Sequence, residues 1–73
     1  MQPFLTVKFD REEDGRWIAE VPELPGVMAY GTTKQMVLHK VYAIALRTLA
    51  DKAEEGRTSQ MLSRFFTYEM VSR

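Results

Sequence analysis

The stretch DGRWIAEVPELPGVMAYGTT, residues 14–33, decides the fold. Its first part alternates. Trp17, Ala19 and Val21 share one side and Arg16 and Glu20 the other, the pattern of a half-buried strand. Pro22-Glu23-Leu24-Pro25-Gly26 then stops the pairing, because proline has no N–H to give a ladder. Pro25-Gly26 suits the two middle positions of a type II turn, where proline fixes φ and glycine accepts a positive one. Leu24, between the prolines, is expected to tuck against the core. Residues 27–30 resume as a short third strand antiparallel to the second, and Gly31 ends it.

Working outward, residues 4–10 also alternate, with Leu5, Val7 and Phe9 opposite Thr6, Lys8 and Asp10. Glu12-Glu13-Asp14-Gly15 is a turn, so residues 4–10 and 16–22 read as an antiparallel hairpin. On the other side, Thr32 and Thr33 supply an N-cap, with Thr32 and Gln35 forming a capping box. A helix is expected over residues 34–55, with Val37, Val41, Ile44, Ala45, Thr48 and Leu49 at helical spacing, Leu38 on the flank and Gly56 just past the end. Met36, Tyr42, Ala43 and Leu46 fall outside that stripe. Residues 57–63 are open between loop and a further helical turn. Residues 64–71, RFFTYEMV, are aromatic and β-branched enough for a fourth strand, parallel to a neighbour through a right-handed crossover. The expected architecture is α+β, in the order β-β-β-α-β. It is a two-layer sandwich of one mixed four-stranded sheet with one long helix on one face, making a single domain over residues 1–73.

Seventy-three residues bury roughly 60% of the unfolded surface, so a lone monomer is expected to be marginal. Disulfides, metals or association usually support so small a fold, and the chain has no cysteine. A formal net charge of zero argues against tight nucleic-acid binding, which rests on neutralising phosphates. The charge is uneven. Residues 8–26 carry three basic and six acidic side chains, whereas residues 56–73 carry three arginines against Glu69. Such an acidic hairpin is either a solvated turn or a surface for a basic partner. No basic-then-apolar leader opens the chain, and no window approaches the ~18 apolar residues of a membrane span. A cytoplasmic location is expected.

Reactive groups are sparse. His39, the single histidine, lies on the expected helix with Gln35 and Ala43 at helical spacing, and reads as an exposed side chain rather than a general base. Asp10, Glu12, Glu13 and Asp14 are clustered, but consecutive turn carboxylates point into water rather than round a cation. Glu20 and Glu23 could be imagined as a catalytic carboxylate pair, but Glu23 sits in a proline-flanked turn and no second acid is clearly placed near it. No phosphate-cradling glycine loop is present. Phe65, Phe66 and Tyr68 lack the Lys/Arg-Gly-aromatic pattern of base-stacking sheets and read as packing residues. The expectation is a protein that is not an enzyme, with no catalytic, metal or cofactor site.

The quoted stretch resembles the N-terminal domain of HicB-family antitoxins. In that family a strand carries Asp-Gly-aromatic-x-Ala-x-Val-Pro-Asp-Leu-Pro-Gly, followed by a short strand and Gly-x-Thr opening a helix. Asp14, Gly15, Trp17, Ala19, Val21, Pro22, Leu24, Pro25, Gly26, Gly31 and Thr33 match it position by position, and Glu23 stands where the family often has Asp. The similarity covers residues 4–55. It implies a partial ribonuclease H fold without that enzyme's carboxylate cluster, and dimers or tetramers. It also implies sequestration of a small basic HicA-like toxin that cleaves mRNA.

Two departures stand out. Gln35 and Met36 replace the family's acidic pair after the threonine, which removes favourable charge from the helix N-terminus. The sequence also ends at Arg73, so the resemblance implies a stand-alone member without the family's DNA-binding domain. Glu20 and Glu23 are the candidate toxin contacts. Met36, Tyr42, Leu46, Phe65, Phe66 and Tyr68 are the candidates for self-association. The alternative is a homo-oligomeric structural or ligand-sensing protein of this fold with no toxin.

Overall fold

The computed structural model describes residues 5–57 and 62–71. Three short strands, β1 (Lys8–Arg11), β2 (Trp17–Glu20) and β3 (Met28–Gly31), form one antiparallel sheet in the order β1-β2-β3. Among the described residues, a long helix, α1 (Lys34–Glu54), follows the sheet; Leu62 is also helical and runs into a 3-10 turn, Ser63–Phe65. The fold is α+β, as expected.

The hairpin between β1 and β2 is closed by its turn residues. Glu12 N–H donates to the Arg16 carbonyl at 2.8 Å, and Gly15 N–H donates to the Glu12 carbonyl at 2.9 Å. Gly15 sits at φ 91°, a left-handed conformation that glycine adopts without a Cβ penalty. The Asp14 carboxylate accepts from the Arg16 backbone N–H and from Nε at 3.0 and 2.9 Å. The backbone N–H of Arg16 is the chief reason that the Asp14 carboxyl is held below its ordinary pKa.

The link from β2 to β3 is two turns sharing one corner. Leu24 N–H donates to the Val21 carbonyl at 2.9 Å, and Val27 N–H donates to the Leu24 carbonyl at 3.0 Å. Each proline is the second residue of its turn, where no N–H is required. Gly26 is at φ 88°, which completes the expected type II turn. Leu24 is the shared corner and is 2% exposed. A bond from Val21 N–H to the Val27 carbonyl, 3.0 Å, closes the loop and sets the register that places Ala19 opposite Ala29 and Trp17 opposite Gly31.

Alternation sorts the sheet's faces. Ala19, Ala29 and Gly31 face the helix and are buried, whereas Met28, Tyr30 and Glu20 on the other face are exposed. The core joins Ala19, Val21, Leu24, Val27 and Ala29 to Val37, Val41, Ala45 and Leu49 of α1. The small residues of β2 and β3 let the helix lie close over them. A Cβ on Gly31 would stand 3.3 Å from the Val37 nitrogen.

Thr33 is the N-cap, and its Oγ1 accepts from Met36 N–H at 3.0 Å. The expected capping box is therefore corrected: Thr32 is one residue too early, and Gln35 does not occupy the third helical position. Gly56, at φ 73°, ends the helix. Gly56 N–H donates to the Ala53 carbonyl at 3.1 Å and Arg57 N–H to the Lys52 carbonyl at 2.8 Å, the paired bonds of a Schellman ending.

The main correction concerns the fourth strand. Residues 64–71 form no strand. Arg64 and Phe65 belong to the 3-10 turn, which the Phe66 N–H closes on the Ser63 carbonyl, and residues 66–71 continue as exposed chain that joins no described strand. Among the described residues the sheet has three strands, all antiparallel, and no parallel crossover. β-propensity is realised only against a neighbouring strand, and among the described residues none pairs with this segment. The first two strands are shorter than the alternation suggested: residues 5–7, 16, 21 and 22 lie outside them and β1 runs on to Arg11, while β3 keeps its length but is shifted by one residue, from 27–30 to 28–31; Phe4 is outside the described residues. Gly31 closes β3 as a member of it. Of the ambiguous residues 57–63, Arg57 has no regular structure, Leu62 is helical and Ser63 begins the 3-10 turn, while positions 58–61 are outside the described residues.

Candidate functional site

One groove lies between β1 and α1. It has a volume of about 550 Å³ and is lined by the apolar and aromatic side chains of Val7, Phe9, Leu38 and Tyr42 together with Lys34, Gln35 and His39. It exists because the core of α1 packs on β2 and β3, which leaves the helix-facing side of β1 uncovered. Phe9 meets Trp17 edge to face with centroids 6.4 Å apart. The Lys34 ammonium sits 4.7 Å from the Phe9 centroid, and the Arg11 guanidinium 4.8 Å from that of Trp17. Cations over these ring faces interact with the π quadrupole, which offsets the poor placement of Lys34 at a helix N-terminus. His39 is exposed and stacks on Tyr42 at 6.5 Å.

A second groove, about 460 Å³, is formed where Leu62, Phe65 and Phe66 approach Leu46, Leu49, Ala50 and Ala53. Tyr42 and Leu46 are one helical turn apart, so the two grooves share one apolar face of α1.

These positions divide the residues expected to mediate self-association. Tyr42 lines the first groove, while Leu46, Phe65 and Phe66 line the second. Met36 is apart from both and is about half exposed, with Thr32 Oγ1 3.8 Å from its sulfur. Tyr68 is exposed on the unpaired segment.

The two acidic candidates are not equivalent. Glu20 is exposed on the outer sheet face, opposite Lys8 on β1 and Met28 on β3. Glu23 is engaged: its carboxylate accepts from Thr6 N–H at 3.1 Å and from Thr6 Oγ1 at 2.8 Å. Those bonds, the Thr6 N–H first, hold its carboxyl below the ordinary glutamate value. Among the described residues, no three acidic or histidine side chains converge as cation ligands. No described helix is long and apolar enough to cross a membrane.

Lys34 and Leu62 escaped the sequence reading. The first looks like a solvated lysine until the hairpin brings two rings under it, and the second fell in the segment left open.

Comparison with protein-family models, with curated proteins and with solved structures returns no match to this chain.

Proposed function

We propose that this chain is a non-catalytic binding protein of the HicB-antitoxin kind, which sequesters a small, basic, HicA-like mRNA-cleaving toxin and associates with copies of itself. The observation that carries the reading is the amount of apolar surface exposed on so small a chain. Met36, Tyr42, Leu46, Phe65, Phe66 and Tyr68 are all at least 45% exposed, well beyond the scattered apolar residues of an ordinary surface. The resemblance carried by residues 14–33 supports the choice of partner, because those residues build the hairpin, the double turn and the helix cap. The acidic edge of residues 8–26 complements a basic toxin. Glu20 is the better contact of the two candidates, since Glu23 already serves Thr6.

The test is inhibition. The purified chain is mixed with a HicA-type ribonuclease encoded by the same genome, and cleavage of an mRNA is followed. Stoichiometric protection, weakened by Glu20→Lys, is expected. If no such ribonuclease is bound or inhibited, the toxin reading fails. The surviving alternative is then a homo-oligomer of structural or ligand-sensing role, which the same exposed apolar surface also favours.

A further inference from the structure

The unpaired segment and the first groove complement one another. Residues 62–66 lie on the second half of α1, where Leu62 packs against the core and Phe65 and Phe66 line the second groove. From there the chain leaves its own body. Phe66 is extended, at φ −134° and ψ 150°, and Tyr68 and Met70 are 77% and 99% exposed. The molecule is correspondingly drawn out, measuring 60 × 27 × 17 Å, although α1 itself spans only about 32 Å at 1.5 Å per residue.

The outer edge of β1 has the matching features. The bond from Glu12 N–H to the Arg16 carbonyl makes residues 12 and 16 a hydrogen-bonded pair. Pairs alternate along an antiparallel ladder, so Asp10–Ile18 and Lys8–Glu20 are bonded, and the N–H and C=O groups of Phe9 and Arg11 point away from β2. Among the described residues, the Arg11 N–H is met only by its neighbour, Asp10 Oδ1, at 2.8 Å. This edge, free among the described residues, borders the open groove lined by Val7, Phe9, Leu38 and Tyr42.

We infer that residues 67–71 of one chain add as a fourth strand to the β1 edge of a second copy, with Tyr68 and Met70 in its groove, and that the exchange is reciprocal. The inference rests on the self-association reading and names its mode. Three arguments favour it. Alternation puts Tyr68 and Met70 on one side and Glu69 on the other, so Glu69 falls on the outer face of the sheet, where β1 presents Lys8. The segment has the aromatic composition of a strand and lacks only a neighbour. A two-fold exchange gives each chain the burial that a small cysteine-free fold lacks, and it is closed, because each segment and each groove is used and neither is left to recruit a third copy.

The cysteine-free sequence allows a clean test. Chains carrying only Tyr68→Cys and chains carrying only Leu38→Cys are mixed, oxidised and run without reductant. A heterodisulfide dimer well above either homodimer is expected. In parallel, light scattering during gel filtration should show a dimer for the parent chain. A Tyr68→Asp, Met70→Asp variant should dimerise about ten- to a hundredfold more weakly, with an unchanged circular dichroism spectrum, because both side chains lie outside the core. A parent chain that is monomeric at micromolar concentration overturns the exchange and self-association together. A dimer that survives the two aspartates overturns the exchange alone. A disulfide that forms only within a chain carrying both cysteines shows that the segment docks on its own groove, and also overturns it.

Discussion

Glu23 holds Thr6 by both of its hydrogen-bond donors. The backbone N–H reaches one carboxylate oxygen at 3.1 Å and the hydroxyl reaches the other at 2.8 Å. The double turn is thereby tied to the segment that leads into β1, two pieces of chain seventeen residues apart. An acidic residue that reads as a partner contact in the sequence turns out to join two loops.

This pairing predicts a pH dependence. The folded-state pKa of Glu23 lies below its unfolded value, chiefly because the Thr6 N–H donates to the charged form. The contribution of the contact is therefore complete above the ordinary glutamate pKa. It is lost as pH falls through the lowered folded value. Carbon-detected NMR titration should place the Glu23 midpoint below that of glutamate in an unfolded peptide. Thr6→Val, which removes the hydroxyl and keeps the N–H, should move the midpoint part of the way back. A midpoint at the peptide value in both proteins would show that the contact does not persist in solution.

Gly26 isolates backbone strain from crowding. It is at φ 88°, and a Cβ built there meets nothing within 4 Å. Gly26→Ala should cost about 1–2 kcal/mol from the left-handed conformation alone. Gly26→Asn should cost less, because asparagine enters that region more readily. Thermal unfolding would resolve the two, at roughly 4–8 °C per kcal/mol for a domain of this size. Equal melting temperatures for parent and Gly26→Ala would exclude the type II turn.

The helix cap separates two adjacent threonines. Thr33 accepts from Met36 N–H, whereas Thr32 contacts only the Met36 sulfur among the described residues. Thr33→Ala should destabilise by about 1 kcal/mol and Thr32→Ala by a few tenths at most. Urea titration of the three proteins decides it, and a reversal of the order would restore the capping box centred on Thr32.

The order of legibility follows how local each signal is. Gly15, Gly26 and Gly56 were readable because each turn needs a positive φ that few residues adopt. Leu24 was readable because two prolines left its side chain one inward course. The helix stripe Val37, Val41, Ala45 and Leu49 was readable because its period is set by the backbone. Residues 64–71 misled for the opposite reason. Aromatic and β-branched side chains show that a segment can pair, but they do not supply the neighbour. The groove was hidden because it depends on α1 resting over β2 and β3 rather than β1, a matter of helix placement that periodicity does not encode. The Glu23–Thr6 contact was hidden because nothing in either stretch marks the other as its partner.

Leu24 gives the sharpest test of the core. It is 2% exposed and belongs to the same core cluster as Val37, Val41 and Leu49. Leu24→Ala removes its packing and leaves a cavity, at about 2–5 kcal/mol. A domain of this length holds roughly 4–11 kcal/mol in all, so the variant should unfold at far lower urea, with Trp17, the single tryptophan, as the fluorescent reporter. Leu46→Ala is the control. Leu46 is 66% exposed, and its loss should shift the monomer's stability by less than about 0.5 kcal/mol. The measurement is made in dilute solution, so that association does not add to the apparent stability. Equal costs at the two leucines would mean that Leu24 is not the corner on which the double turn closes.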